Sequence, residues 1–151
     1  MRFLGFFRDA PPPLVQRSLN DLHGMLGTTS RMFEAATACL LEGQSLTLDL
    51  KEEDQQVNEK EEQVRRALLT HFSVAPSEDV AFALTLNAIV QEVERMGDLA
   101  KSIAKVAQLA RSTPAADLTD PLRSIRERVL GMARDTQRAL DASDAEVARG
   151  V

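Results

Sequence analysis

Apolar residues recur along most of this chain at the three- and four-residue intervals of a helix, and nowhere in sustained strand-like alternation. The first such stretch, over 14–42, places Leu14, Leu19, Leu22, Met25, Leu26, Met32, Phe33, Ala36 and Leu40 on one face, and Gly43 is a natural stop just past its end. A second covers 46–71, where Leu50, Val57 and Val64 fall seven residues apart with Leu68 on the same face and charge almost everywhere else. The third, over 77–111, begins where Ser77 can cap exposed amides and Glu78 and Asp79 suit the helix dipole. Its apolar positions, Phe82, Leu86, Ile89, Val93, Met96, Ala100, Ile103, Ala107 and Ala110, step by fours and threes to the break at Ser112-Thr113-Pro114. A fourth is predicted over 121–142, with Asp120 as cap and Pro121 at the first helical position. Leu122, Ile125, Val129, Met132 and Leu140 form its stripe, and Arg123, Arg126, Arg128, Arg134 and Arg138 its solvated outer face. Four helices with short connections predict an all-α antiparallel bundle over 14–151, preceded by a short apolar segment and a proline linker over 1–13.

Composition narrows this picture. A length of 151 residues suits one domain, and an apolar content of 44% suits a packed core. The net charge of -5, without a basic patch interleaved with aromatics, argues against nucleic-acid binding. One cysteine, Cys39, excludes a disulfide framework and is expected to be a small core side chain. No apolar run is long enough for a signal peptide or a membrane span, so a cytoplasmic protein is expected. Phe3, Leu4, Phe6 and Phe7 lie between Arg2 and Arg8 and either pack back on the bundle or make a peripheral contact at the inner membrane.

The candidate chemistry lies in carboxylates. Asp54, Asn58 and Glu61 project from one face of the second helix, with Asp54 and Glu61 at the edge of its apolar seam. Carboxylates there are costly to desolvate and ask for a partner: a metal ion, or Arg and Lys side chains. Glu61 with Arg65 and Glu62 with Arg66 are spaced as ordinary ion pairs along the helix. On the third helix Glu94 and Asp98 are like charges four residues apart, which costs roughly 0.2–0.5 kcal/mol on an isolated helix, on a stripe that ends with Lys101. Gly97 between them implies close approach of another backbone or of a bound ion's water shell. Two oxygen-rich faces on adjacent helices suit hard cations, or equally a solvated charged face.

Asp54-x-x-Val57-Asn58-x-x-Glu61-x-x-Val64, followed by Val93-Glu94-Arg95-Met96-Gly97-Asp98-x-Ala100 and Ile103-Ala104, resembles the repeat of the PhoU family of phosphate-signalling regulators. The resemblance runs from about Leu19 to Leu109 as one three-helix repeat, with the fourth helix as the start of a second. It implies a non-enzymatic regulator of phosphate uptake or phosphate-starvation signalling, working through the phosphate transporter or its sensor kinase. It also implies bound metal ions (Mg, Mn, Fe or Zn) on acidic motifs, which Glu94 and Asp98 match directly and Asp54 with Asn58 match less well, since an amide carries no charge; Glu61 completes the expected ligand set. Asp79-Val80-Ala81 departs from the family's usual Asp-Leu-Arg. With the last two helices of a second repeat missing, a homo-oligomer that restores them with another copy is expected, unless the chain acts as a single repeat or is a truncation.

Three other classes compete. A di-iron enzyme needs Glu-x-x-His pairs, but Asn20 precedes His23 and Leu68 precedes His71 at that spacing. A histidine phosphotransfer module would use His23, yet Leu26 stands where a lysine is expected. A helical adaptor that only mediates protein contacts differs from the leading reading in binding no metal.

Overall fold

The computed structural model describes residues 13–74, 80–110 and 112–142; Phe3, Leu4, Phe6, Phe7 and the cap expected at Ser77 lie outside them. Those residues form four helices and no strand: α1 (Pro13–Glu42), α2 (Leu50–Val74), α3 (Val80–Leu109) and α4 (Ala116–Ala142). The all-α expectation holds.

Helix α1 is the centre, since it alone packs against all three others. Pro13 opens it, where a missing amide proton costs nothing, and Gly43 closes it at φ +66°, a conformation open to glycine at no steric cost. Its buried hydroxyls are satisfied within the helix: Ser18 donates to the Leu14 carbonyl at 2.9 Å and Thr37 to that of Phe33 at 2.7 Å. The start of α2 falls at Leu50 rather than Leu46 because Asp49 Oδ1 accepts from the Lys51 and Glu52 amides, a cap that Leu46 cannot provide.

The core joins Leu22, Met25 and Met32 of α1 to Val57 and Val64 of α2 and to Leu86, Val90 and Ala100 of α3. On α3 the buried line is Phe82, Leu86, Val90, Val93, Gly97, Ala100 and Ala104. The expected seam is thereby rotated: Ile89 is exposed, Met96 and Ile103 are half-buried at the edge of the core, and Ile89 and Met96 line the side toward α4. Small residues at 97, 100 and 104 let α1 approach closely, which the spacing of large apolar residues does not reveal.

Helix α4 departs most from expectation. It begins at Ala116, five residues before Pro121, because the Ala115 carbonyl accepts from the Thr119 amide at 3.0 Å and starts the ladder there. Pro121 therefore lies inside the helix, where the bond it cannot make is the one to the Asp117 carbonyl on an exposed turn. Only α1 supports α4 substantially, through Ala133, Leu140 and the half-buried Arg126, whose guanidinium pairs with Glu42 at 2.6 Å and approaches Glu34 at 3.9 Å. Arg126 is thus a clamp rather than part of a solvated face, while Leu122, Ile125 and Met132 of the expected stripe are exposed. Cys39 is half-buried rather than fully enclosed.

Candidate functional site

Helices α2 and α3 lie side by side, and their packing brings together the acidic residues singled out from sequence. Val57 and Val64 on α2, and Val93, Gly97 and Ala100 on α3, point inward and fix the rotation of each helix. Residues a little further around each cylinder then face one another along the seam. Asp54 and Glu61 occupy that position on α2, and Glu94, Asp98 and Lys101 on α3.

Lys101 ties the two helices together. Its ammonium lies 2.7 Å from Asp54 Oδ2 across the seam and 2.8 Å from Asp98 Oδ1 on its own helix. Asp54 is the more enclosed of the two, with 15% of its side chain exposed against 55% for Asp98. Burial alone would lower the Lys101 pKa, but the hydrogen bonds to Asp54 and Asp98 outweigh it and hold the ammonium above its ordinary 10.5. The cross-helix partner that buried carboxylates require is therefore this lysine, and it also offsets the like-charge spacing of Glu94 and Asp98.

The remaining groups are less fully matched. Asp54 Oδ1 is buried and accepts no hydrogen bond from the described residues. The Asn58 amide reaches Asp54 Oδ2 only at 3.5 Å, from an exposed position. Glu61 is drawn to Arg65 at 2.7 Å, and Glu62 pairs with Arg66, the two along-helix pairs expected from spacing. Desolvation, and then the carboxylates of Asp98, Glu61 and Asp54 in that order, push the Glu94 pKa above 4.5, with Lys101 opposing them.

That shift has a sign. A carboxyl whose folded pKa exceeds its unfolded value contributes its stability below the unfolded pKa and loses it as pH rises through the folded one. Wild type is therefore expected to lose stability as pH rises from 4.5 through the raised Glu94 pKa, and Glu94→Gln to lose less. Urea midpoints of both proteins across that range check it; parallel profiles would place the strain elsewhere.

Gly97 has a different role from the expected one. A Cβ built there would lie 3.3 Å from the Thr29 methyl and 3.7 Å from Met32 Cε, so side chains of α1 fill the space, not a backbone or an ion's hydration shell. The stretch Glu94-Arg95-Met96-Gly97-Asp98 is divided among three surfaces. Gly97 enters the core, Met96 faces the α3–α4 side, and Glu94 and Asp98 join the acidic seam.

Asp54 and Lys101 also border a recess of about 560 Å³ that runs past Leu46, Leu48 and Lys51 to Lys105 and Gln108. Oxygen donors from two helices, one of them buried and unpartnered, suit a hard cation in kind. Among the described residues, however, no three Asp, Glu, His or Cys side chains converge closely enough to hold an ion as they stand. Binding one requires Lys101 to release its two carboxylates.

Sequence reading found Asp54, Glu61, Glu94 and Asp98 but missed the cross-helix reach of Lys101. The three-residue step from Asp98 to Lys101 was a usable signal for half of it; the register of α2 against α3 was not available.

The family model for the PhoU domain matches residues 22–107, more than half of the chain and including all of α2 and nearly all of α3. No curated protein and no solved structure matches.

Proposed function

Because the chain belongs to the PhoU family, whose members regulate phosphate transport, we propose that it is a non-enzymatic regulator that acts by protein contact in phosphate uptake or phosphate-starvation signalling. On this reading the seam between α2 and α3 takes a divalent or trivalent cation, with Asp54, Glu61, Glu94 and Asp98 as oxygen donors and Asn58 as a neutral neighbour. The observation that supports it is a buried Asp54 oxygen that accepts no hydrogen bond from the described residues, on a seam where Glu94 feels the charges of Asp98, Glu61 and Asp54. Bound there, the ion would supply positive charge in place of the Lys101 ammonium and draw α2 and α3 together. Lys101 would then be free to meet solvent or an acidic partner surface. The phosphate transporter and its sensor kinase remain the partners proposed. No helix among the described residues is long and apolar enough to cross a membrane.

Elemental analysis of protein purified without chelator is expected to find Mg, Mn, Fe or Zn. Glu94→Ala combined with Asp98→Ala is expected to remove the metal and to disturb a phosphate-responsive reporter in cells. Metal-free wild type, together with an unchanged reporter in the double variant, would overturn the proposal.

A further inference from the structure

We propose that the recess between the start of α2 and the end of α3 binds a phosphoryl polyanion, two or more linked phosphate groups, through Lys51 and Lys105 with Lys101 beside them. The chain has four lysines, Lys51, Lys60, Lys101 and Lys105, and three of them line this one recess of about 560 Å³. In a chain of net charge -5 that is a local reversal of sign. Lys60, outside the recess, pairs with Asp21 at 3.4 Å, and Lys101 pairs with Asp54 and Asp98, whereas neither Lys51 nor Lys105 has a carboxylate at ion-pair distance among the described residues. On α3 the positions three and four residues from Lys105 are Lys101, Ser102, Gln108 and Leu109, so its own helix supplies a like charge and no acid. That spacing is unfavourable unless an anion offsets it.

The two carboxylates in the lining are already answered from within. Asp49 Oδ1 accepts from the Lys51 and Glu52 amides at 3.0 and 3.2 Å, and Asp54 is held by Lys101, with its second oxygen buried. The Lys101 ammonium has three N–H donors, gives them to Asp54 and Asp98, and keeps one. Donors from two helices, Lys51 on α2 and Lys105 with the Gln108 amide on α3, ask for an acceptor with oxygens on several sides, which a tetrahedral phosphoryl group has and a planar carboxylate lacks. The volume falls in the range of small-ligand sites, about 300–1,000 Å³, and a lone phosphate would leave most of it empty. Among the described residues no aromatic side chain lines the recess to stack a nucleobase, which favours an inorganic anion over a nucleotide.

Calorimetric titration of the full chain with pyrophosphate, orthophosphate and sulfate tests this, in excess chelator so that it does not rest on the cation proposed for the neighbouring seam and either reading can fail alone. Pyrophosphate is expected to bind one to one and about tenfold more tightly than the other two. Lys51→Gln and Lys105→Gln, at exposed positions, should each weaken it about tenfold while the helical circular dichroism is kept. Lys60→Gln, which removes the same charge elsewhere, should leave it unchanged. Absence of pyrophosphate binding would overturn the proposal; sulfate binding as tight as pyrophosphate, or equal weakening by Lys60→Gln, would do so by assigning the binding to general charge. Flotation with phosphatidylglycerol vesicles covers the other source of phosphate oxygens: binding there that needs Lys51 and Lys105, without affinity for pyrophosphate, would give the recess to a lipid headgroup and overturn the free anion.

Discussion

Replacing Gly97 with leucine is expected to destabilise the protein by about 3 kcal/mol, lowering its thermal midpoint by about 10 °C. The Cβ alone would stand 3.3 Å from the Thr29 methyl, and the isobutyl group beyond it must displace Thr29 and Met32, both fully buried. Thr29 has little freedom to turn away, because it is β-branched and its hydroxyl donates to the Leu26 carbonyl at 3.3 Å. Leucine is a better helix former than glycine, so the loss reports packing and not propensity. Gly97→Ala is the control: a gain of about 1 kcal/mol in helix propensity opposes one tight methyl contact, and the net change should stay within about 1 kcal/mol. Both are measured by chemical denaturation in excess chelator. If Gly97→Leu were as stable as wild type there, while altering metal content in its absence, the residue would serve an ion's surroundings and its place in the core would be wrong.

This result would also mark where sequence stops informing. The four helices were legible because their apolar periodicities are long and uninterrupted, and Gly43 sits where a cap must; the cap at Asp49, which moves the start of α2 to Leu50, went unread. The rotation of α3 was not. Reading the large residues put Ile89, Met96 and Ile103 in the core and passed over Val90, Gly97 and Ala104, whereas close packing against α1 buries those three, leaves Ile89 exposed and keeps Met96 and Ile103 only half-buried at the core's edge. On α4 the stripe itself was correctly seen, but a stripe tells only that a helix has an apolar side; Leu122, Ile125 and Met132 show that the side need not be covered by its own chain's described residues. Asp120-Pro121 misled for a local reason, since the Ala115 carbonyl nucleates the helix earlier and an exposed second turn tolerates the missing amide. In the acidic seam, spacing within a helix identified the carboxylates. Which cation answers Asp54 depended on the alignment of two helices.

Lys101→Met turns that cation into an experiment. Methionine keeps the stem's volume and apolar contacts but removes the charge 2.7 Å from Asp54 and 2.8 Å from Asp98. Breaking a fully buried ion pair costs about 3–5 kcal/mol; Lys101 is about one-third exposed and Asp98 more so, and solvent screening brings the expected loss to about 2 kcal/mol, or about 6 °C in midpoint, with chelator present. The variant leaves Asp54, Asp98, Glu94 and Glu61 facing one another with no internal cation among them, since Arg65 engages Glu61 from its own helix. A divalent ion no longer competes with an ammonium, so at about one hundred times its Kd it should return about 2.7 kcal/mol and restore the midpoint to that of wild type or above. Adding Asp54→Asn to Lys101→Met should recover part of the stability without metal and abolish the response to it, because the buried oxygen that needs the charge is then neutral. Should Lys101→Met stay destabilised at millimolar Mg²⁺ and Mn²⁺ alike, the seam would be a structural ion pair between α2 and α3, and the proposed regulator would work through its protein contacts without a metal.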